Sequence, residues 1–459
     1  MKLTLIGGGG VRAPLFVMTL LRWQARLGTT ELCLMDIDER KLKLFGALCR
    51  ELAHRAGDPF MITTTTDARE ALTGADHVVT TIRAGFEQGR ATDERIALRH
   101  GVLGQETTGP GGFAMALRSI PAILGYAQLM QEVSPNAWMY NFTNPAGLVT
   151  QALRDAGYAR TIGICDGANA GQSAVAAWAG VEMPQVRTEV FGLNHLSWCR
   201  RAWIEGDDVL PSALADDNFL YDHQRLFAPQ LVRMLGMHLN EYLYYYYYAE
   251  QALNAINSEG MTRGEEIVEL NLRLLEQLEE VGVERDPDRA LRTFFGYEQR
   301  RSATYMHYAY GGQSIAEANR KQIFDADIPA EAGEGYAGVA LSIMAAFESG
   351  KPLYTALNIP NEGAIHGMAA DDVVEVSCRV DSSGVHPIEI GEVPAPQLQL
   401  MQTVKLYERL TVQAIHEHSR ALAVEALMAH PLVLSYSRAK PLVDEFLAAH
   451  HEYVGEWKD

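Results

Sequence analysis

Lys2-Leu3-Thr4-Leu5-Ile6-Gly7-Gly8-Gly9-Gly10-Val11-Arg12-Ala13-Pro14 opens the chain and decides its fold. Leu3 to Ile6 is a short apolar strand, Pro14 to Trp23 has the pattern of a helix, and four glycines lie between them. Gly8, Gly10 and Ala13 fit the G-x-G-x-x-G/A spacing, whereas a register starting at Gly7 keeps only two of its positions. Glycine is needed there because the backbone turns tightly and must approach a pyrophosphate without a Cβ in the way. A second strand, Glu31 to Asp36, ends on a carboxylate where a ribose 2′-hydroxyl would be bound. A glycine run alone describes any tight strand-to-helix turn. The strand before it, the helix after it and the acidic end of the next strand together point to a dinucleotide. Asp36 favours NAD over NADP, while Arg40 and Lys41 close by keep NADP open. The candidate cofactor-binding residues are Gly8, Gly9, Gly10, Asp36, Arg40 and Thr81.

Working outward, Glu39 to about Ala56 reads as a helix, and Met61 to Thr65, His77 to Ile82, Trp138 to Phe142 and Thr161 to Cys165 read as strands. Strands alternating with helices imply a parallel sheet covered on both faces. Beyond about Asp166 the pattern changes. Val186 to Trp198 and Val373 to Val380 look like strands of a second sheet, and Arg263 to Leu278 and Gln397 to Ala449 like long amphipathic helices. The expected fold is α/β, with an N-terminal Rossmann NAD-binding domain over residues 1–165. It is fused to an α+β substrate- and metal-binding domain over 166–459, the active site lying between them.

Composition narrows the classes of function. A net charge of -19 argues against a nucleic-acid groove, which needs clustered Lys and Arg. Five scattered cysteines read as reduced thiols rather than a disulfide framework, which points to the cytoplasm. No apolar run is expected to reach the roughly 18 residues of a membrane span, and the N-terminus lacks a signal-peptide pattern.

Some residues carry chemistry that a dinucleotide alone does not explain. Cys165 ends a strand in Gly163-Ile164-Cys165-Asp166-Gly167, and His195 sits in Phe191-Gly192-Leu193-Asn194-His195-Leu196. A thiolate and an imidazole at two strand ends could hold a divalent metal and leave positions open for substrate oxygens. From spacing alone, two packed residues describe the pair as well. In the run Tyr242-Leu243-Tyr244-Tyr245-Tyr246-Tyr247-Tyr248, Tyr242, Tyr245 and Tyr246 share a helical face. They are either core aromatics or a phenol near a metal, with its pKa lowered enough to act as a base.

Longer motifs carry a resemblance. Gly104-Gln105-Glu106-Thr107-Thr108-Gly109-Pro110-Gly111-Gly112-Phe113 and Asn141-Phe142-Thr143-Asn144-Pro145-Ala146-Gly147 are followed by the Cys165 and Gly192-Leu193-Asn194-His195 segments. Leu357-Asn358-Ile359-Pro360-Asn361 and Gly363-Ala364-Ile365 come last. In this order the chain resembles glycoside hydrolase family four from Met1 to about Pro431, and most of all its 6-phospho-β-glucosidase branch. The resemblance implies NAD and a divalent metal, usually Mn²⁺, held by Cys165 and His195. It also implies an unusual glycosidase mechanism that departs from the carboxylate pair of most families. Hydride leaves C3 of the sugar for NAD, the metal stabilises an enediolate, and a tyrosine removes the C2 proton. The glycosidic oxygen then leaves C1, water adds, and hydride returns. Tyr245 is the expected base, with Tyr242 and Tyr246 as alternatives.

By the same resemblance, Arg263 faces a 6-phosphate, and a guanidinium fork suits such an oxyanion. Arg83, Gln105, Asn144 and Asn194 match positions lining the sugar pocket, with Arg90, Asp93 and Glu94 behind them. Two departures bear on the substrate. The family's loop continues after its glycines with Ser and Tyr, whereas Gly10, Val11 and Arg12 stand here, placing an extra cation by the cofactor phosphates or the substrate anion. Asp166 follows the metal cysteine, as in the α-phosphoglucosidase branch, where it is the candidate acid for the leaving group. The expected substrate is a small anionic glycoside, a 6-phosphoglucoside first and a C6-sulfonate sulfoquinovoside second, with a simple NAD-dependent sugar dehydrogenase as the competing enzyme class. A homodimer or homotetramer is implied by the resemblance.

Overall fold

The computed structural model describes residues 1–306, 308–309, 323–329 and 335–459. Its first half follows the expected alternation: β1 (Lys2–Ile6), α1 (Ala13–Leu27), β2 (Glu31–Met35), α2 (Glu39–Arg55), β3 (Met61–Thr65), α3 (Ala68–Leu72), β4 (His77–Thr80), α4 (Phe86–Arg99), α5 (Pro110–Val133), β5 (Trp138–Asn141), α6 (Ala146–Asp155) and β6 (Thr161–Gly163). These six strands are all parallel, in the order β3-β2-β1-β4-β5-β6. That is the doubly wound Rossmann order, whose switch point lies between β1 and β4. Strands buried on both faces must be apolar throughout, and Leu3, Leu5, Leu32, Leu34, Val78 and Val79 are all fully buried.

The sheet does not stop at β6. Three further strands extend it from the far half of the chain: β11 (Leu353–Pro360), β12 (Val373–Asp381) and β13 (Gly384–Pro387), all antiparallel. The expectation that Val373 to Val380 belongs to a second sheet is therefore corrected. Its uninterrupted burial from Val373 to Cys378 is that of a strand covered on both faces, which apolar runs in either sheet would give equally.

A smaller sheet is built from β7 (Val186–Leu193), β8 (Leu196–Ile204) and β10 (His238–Leu239) in the order β10-β8-β7, with β9 (Asp207–Asp208) also paired to β8. Val186 to Trp198, expected as one strand, is broken into β7 and β8 by a two-residue turn, Asn194-His195. His195 takes a left-handed conformation there, φ 64°. The tyrosine run forms a 3-10 turn, Glu241–Leu243, and a short helix, Tyr244–Tyr247. Gln397 to Ala449 divides into helices Ala395–Glu417, Arg420–Ala429 and Tyr436–Ala449.

One apolar stretch exceeds expectation. Helix α5 is long and apolar enough by composition to cross a membrane, but 61% of its apolar window is buried inside the molecule. All five cysteines are buried and free.

Candidate active site

The parallel strands end on one side of the sheet, and their ends deliver the site. Gly7 follows β1, Asp36 follows β2, Thr81 follows β4, Asn144 lies just past β5, and Cys165 lies just past β6. All of them line one cleft of about 1370 Å³, together with His195, Tyr242, Tyr245, Arg263, Arg301 and Tyr336 from the rest of the chain.

The glycine loop folds as its sequence requires. The Gly7 and Gly8 amides both donate to Met35 O, and Thr81 N donates to Ile6 O, which pins the loop between β2 and β4. Gly7 has φ 95°, and a Cβ there would sit 2.8 Å from Thr81 Oγ1. Asp36 closes the loop from the other side by accepting from Gly9 N at 3.0 Å and Asp38 N at 3.0 Å. Helix α1 starts on Arg12 without a side-chain cap, and Gly10, Val11 and Arg12 line the cleft, which puts its positive end there. Two residues expected at the cofactor are elsewhere. Gly8 packs under the loop, where a Cβ would meet Leu34 at 2.7 Å. Arg40 is paired with Glu279 at 2.6 and 2.9 Å, half exposed and away from the cleft lining.

Cys165 and His195 come together. The Sγ and Nε2 atoms are 3.5 Å apart and both residues are buried. Donors bound to one ion at about 2.3 and 2.0 Å lie about 3–4 Å from each other, so this separation fits a shared cation. The other imidazole nitrogen settles which tautomer is present. Gln105 Oε1 accepts from the Thr107 and Thr108 amides at 2.7 Å each and from Thr107 Oγ1 at 3.1 Å. With its proton given to Gln105, the Thr107 hydroxyl accepts from His195 Nδ1–H at 3.0 Å, which leaves a lone pair on Nε2 facing Cys165. Burial lowers the His195 pKa to about 4, so the ring is neutral. Burial, with Glu375 and Asp166, pushes the Cys165 thiol well up, and a bound cation would take the place of its proton. Among the described residues no third His, Cys, Asp or Glu completes a metal cluster. Such a pair leaves room for substrate oxygens on the ion.

The Tyr242 ring stacks on His195 with centroids 3.8 Å apart and planes 5° from parallel. Tyr305 gives its one hydroxyl proton to Glu241 at 2.7 Å, so its oxygen accepts from the Tyr242 hydroxyl at 3.1 Å. Tyr245 shares a 2.7 Å hydrogen bond with Tyr308. Both tyrosines line the cleft, whereas Tyr246 does not. Burial raises both phenols well above their ordinary value, Tyr242 also through Glu241 and Glu106, Tyr245 also through Tyr308. Neither could act as a base at neutral pH without a nearby cation.

The arginines form a second layer. Arg83 pairs with Glu106 at 2.6 Å and Glu87 at 3.1 Å, and Arg90 with Glu94 at 2.8 Å and Glu106 at 2.9 Å. Against the upward push of burial, Arg83 and Arg90 hold the Glu106 carboxyl well below its usual range. Asp93 stands apart from the cleft, held by Arg118 at 2.6 Å and His450 at 2.5 Å. Arg263 is mostly buried at the start of helix Arg263–Val281, set by the Thr262–Glu265 capping box and bonded to Glu266 at 2.7 Å, Thr304 and Arg301 O. Arg301, which sequence analysis missed, donates to Tyr297 OH at 2.9 Å and has no ion pair within 4 Å among the described residues. Nothing local marked it, because Arg300-Arg301 at a helix end reads as ordinary dipole compensation. Arg12 lies over the Tyr336 ring at 5.3 Å. Asp166 is exposed and accepts from Gly167 N at 3.1 Å. Asn194 does not reach the cleft lining, because its amide is spent on Gly147 N and Glu375.

The profile of the family 4 glycosyl hydrolases matches residues 2–181, and that of the family's C-terminal domain matches residues 190–433. The chain belongs to glycosyl hydrolase family 4. A probable 6-phospho-β-glucosidase of Bacillus subtilis is 31% identical, over all of this chain and 98% of its own length. The 6-phospho-β-glucosidase of Thermotoga maritima, solved with manganese, NAD⁺ and glucose-6-phosphate, is 29% identical with a TM-score of 0.82, covering 99% of both chains. A 6-phospho-α-glucosidase from gut microorganisms, solved with NAD and Mn²⁺, is 25% identical with a TM-score of 0.80, covering 100% of this chain and 99% of its own. The family 4 chain described here is thus a glycosyl hydrolase with homologues on both the α and β sides of phosphoglucoside hydrolysis.

Proposed function

We propose that this family 4 hydrolase cleaves a glucoside bearing an anion at C6, a 6-phosphoglucoside first, with NAD and a divalent metal such as Mn²⁺ as its cofactors. The Cys165–His195 pair, with the imidazole tautomer fixed by Thr107, is the observation that carries the proposal. When bound, NAD supplies reversible hydride transfer at C3, and the metal supplies polarisation of the neighbouring sugar oxygens.

The chain's own residues do the rest. Gly7, Gly9 and Gly10, Asp36, Thr81 and the start of α1 form the dinucleotide cradle. Tyr245 is the assigned base for the C2 proton, with Tyr242, stacked on His195, as its neighbour and alternative. Asp166, open to the cleft beside Cys165, is the assigned donor to the leaving oxygen. Arg263 and Arg301 face the cleft with guanidinium groups suited to a tetrahedral anion. Arg12, exposed and cationic at the glycine loop, favours the second reading, a C6 sulfonate in place of the phosphate.

A panel of 4-nitrophenyl α- and β-glycosides of glucose 6-phosphate, sulfoquinovose and glucose, with NAD and Mn²⁺, tests this. Turnover of one C6-anionic member without net absorbance change at 340 nm, where NADH absorbs, is expected. Steady NADH accumulation would mean a dehydrogenase instead.

A further inference from the structure

We infer that Glu375 is the positioning residue of the catalytic centre, one buried carboxylate that orients both the His195 turn and the Tyr242 segment. The inference rests on the metal-dependent reading above. Glu375 lies on β12, opposite Asn358 of β11, and is fully buried. Removing a carboxylate from water is costly unless its oxygens are filled. Here Oε1 accepts from Ser197 Oγ at 2.7 Å, and Oε2 accepts from Asn358 Nδ2 at 3.0 Å and Asn194 Nδ2 at 3.2 Å.

Two of these arms lead to the site, through Asn194 and through Ser197. Asn194 is the other residue of the two-residue turn that presents His195. Its Oδ1 accepts from Gly147 N at 3.3 Å, so the turn is held from both ends of the amide. The second arm is directional. Burial pushes the Glu375 pKa up, but all three of its partners donate to it, and the Ser197 hydroxyl gives its one proton to Oε1. Ser197 Oγ then accepts from Asn240 Nδ2 at 3.2 Å, which turns Asn240 Oδ1 toward Tyr242 N at 3.0 Å. That last bond caps the turn Glu241–Leu243 and so places the ring stacked on His195. One side chain on the extension of the sheet thereby ties the His195 turn to the Tyr242 segment.

Glu375→Gln keeps the volume but adds a donor to a site that already holds three, so one arm must reverse or break. The test measures Mn²⁺ affinity of the purified, NAD-free protein by electron paramagnetic resonance, along with kcat at saturating Mn²⁺ and melting temperature. Ser197→Ala, which cuts only the Tyr242 arm, runs in parallel. Glu375→Gln is expected to weaken Mn²⁺ binding or lower kcat by about tenfold or more. Ser197→Ala is expected to lower kcat while Mn²⁺ affinity stays within about twofold. Both constants within about threefold of wild type in Glu375→Gln would overturn the inference, even if the variant melted at lower temperature. Should Glu375→Gln fail to fold, Ser197→Ala decides: a lowered kcat supports the role and an unchanged one overturns it. A wild-type protein that binds no Mn²⁺ would defeat the metal reading itself and this inference with it.

Discussion

His195 shows how much of a site is set by atoms that never touch substrate. Its ring is neutral through burial, and its tautomer is dictated by the bond from Nδ1 to Thr107, which Gln105 in turn orients. Thr107→Val removes that acceptor and leaves Nδ1–H buried without a partner. Mn²⁺ affinity is expected to fall about tenfold or more, with NAD affinity unchanged, in titrations of each ligand separately. The two candidate bases separate by the same logic of contact. Tyr245→Phe should lower kcat by about 100-fold or more if Tyr245 takes the C2 proton, whereas a larger loss in Tyr242→Phe would assign the role to the ring on His195. Glu106 gives a pH signature. Its folded pKa lies below its ordinary 4.5, so its contribution is complete above that value and is lost as pH falls toward the folded pKa. Glu106→Gln should therefore lower the melting temperature by a constant amount from about pH 5 to 8, a gap that narrows in more acid buffer. A gap that widened on acidification would contradict the Arg83 and Arg90 pairing. Cys165 and His195 could be paired from sequence only through the resemblance, because their spacing alone describes packed residues equally well; the fold brings them to 3.5 Å. Thr107, Glu375 and Arg301 were not legible, since ordinary residue types act here through neighbours that only the folded chain brings close.

The elements that hold these residues are two tight turns. One is Asn194-His195 between β7 and β8, which the sequence pattern hid because the apolar residues run on through the turn from Phe191 to Trp198. Gly192 and Asn194 are its marks in the sequence, and the left-handed His195 is seen only in the fold. The other is the glycine loop, legible as a loop because strand, turn and helix each have their own signal, though not in which glycine makes the closure. Yet the four glycines do different jobs. Gly9 leaves room for Asp36, Gly8 packs on Leu34, and Gly7 alone combines a positive φ with closure against Thr81. Gly7→Ala would force a Cβ into the Thr81 backbone at 2.9 Å. It is expected to destabilise the protein by about 1–3 kcal/mol and to weaken NAD binding in a fluorescence titration. Gly10→Ala, where the contact is one 3.0 Å approach to Gly7 O, should cost less. Equal losses at the two positions would argue against the backbone closure seen at Gly7.

At the scale of the whole molecule, the chain divides its sheet between its two ends. The six parallel strands come from the first 163 residues and the three antiparallel strands from residues 353–387. Sequence patterning places the parallel part correctly, since each βαβ unit is local. It could not place β11 to β13, because pairing with β6 is a contact between residues nearly two hundred positions apart, as in Asn358 with Gly163. Glu375 acts from this extension, and Cys165 acts from the strand beside it, so the cofactor half of the site leans on the C-terminal half. A fragment ending at residue 181, where the first family profile stops, would leave the edge of β6 unpaired and the apolar faces under β11 and β12 in water. It should aggregate, or bind NAD far more weakly than the full chain. The intact protein should correspondingly unfold in one thermal transition, the same by far-ultraviolet circular dichroism and by tryptophan fluorescence. The fluorescence midpoint should still coincide with that of circular dichroism after Trp198 of the small sheet or Trp138 of the Rossmann sheet is replaced by Phe. Two separated midpoints, with a soluble NAD-binding fragment, would show instead that the parallel strands are stable without their antiparallel extension.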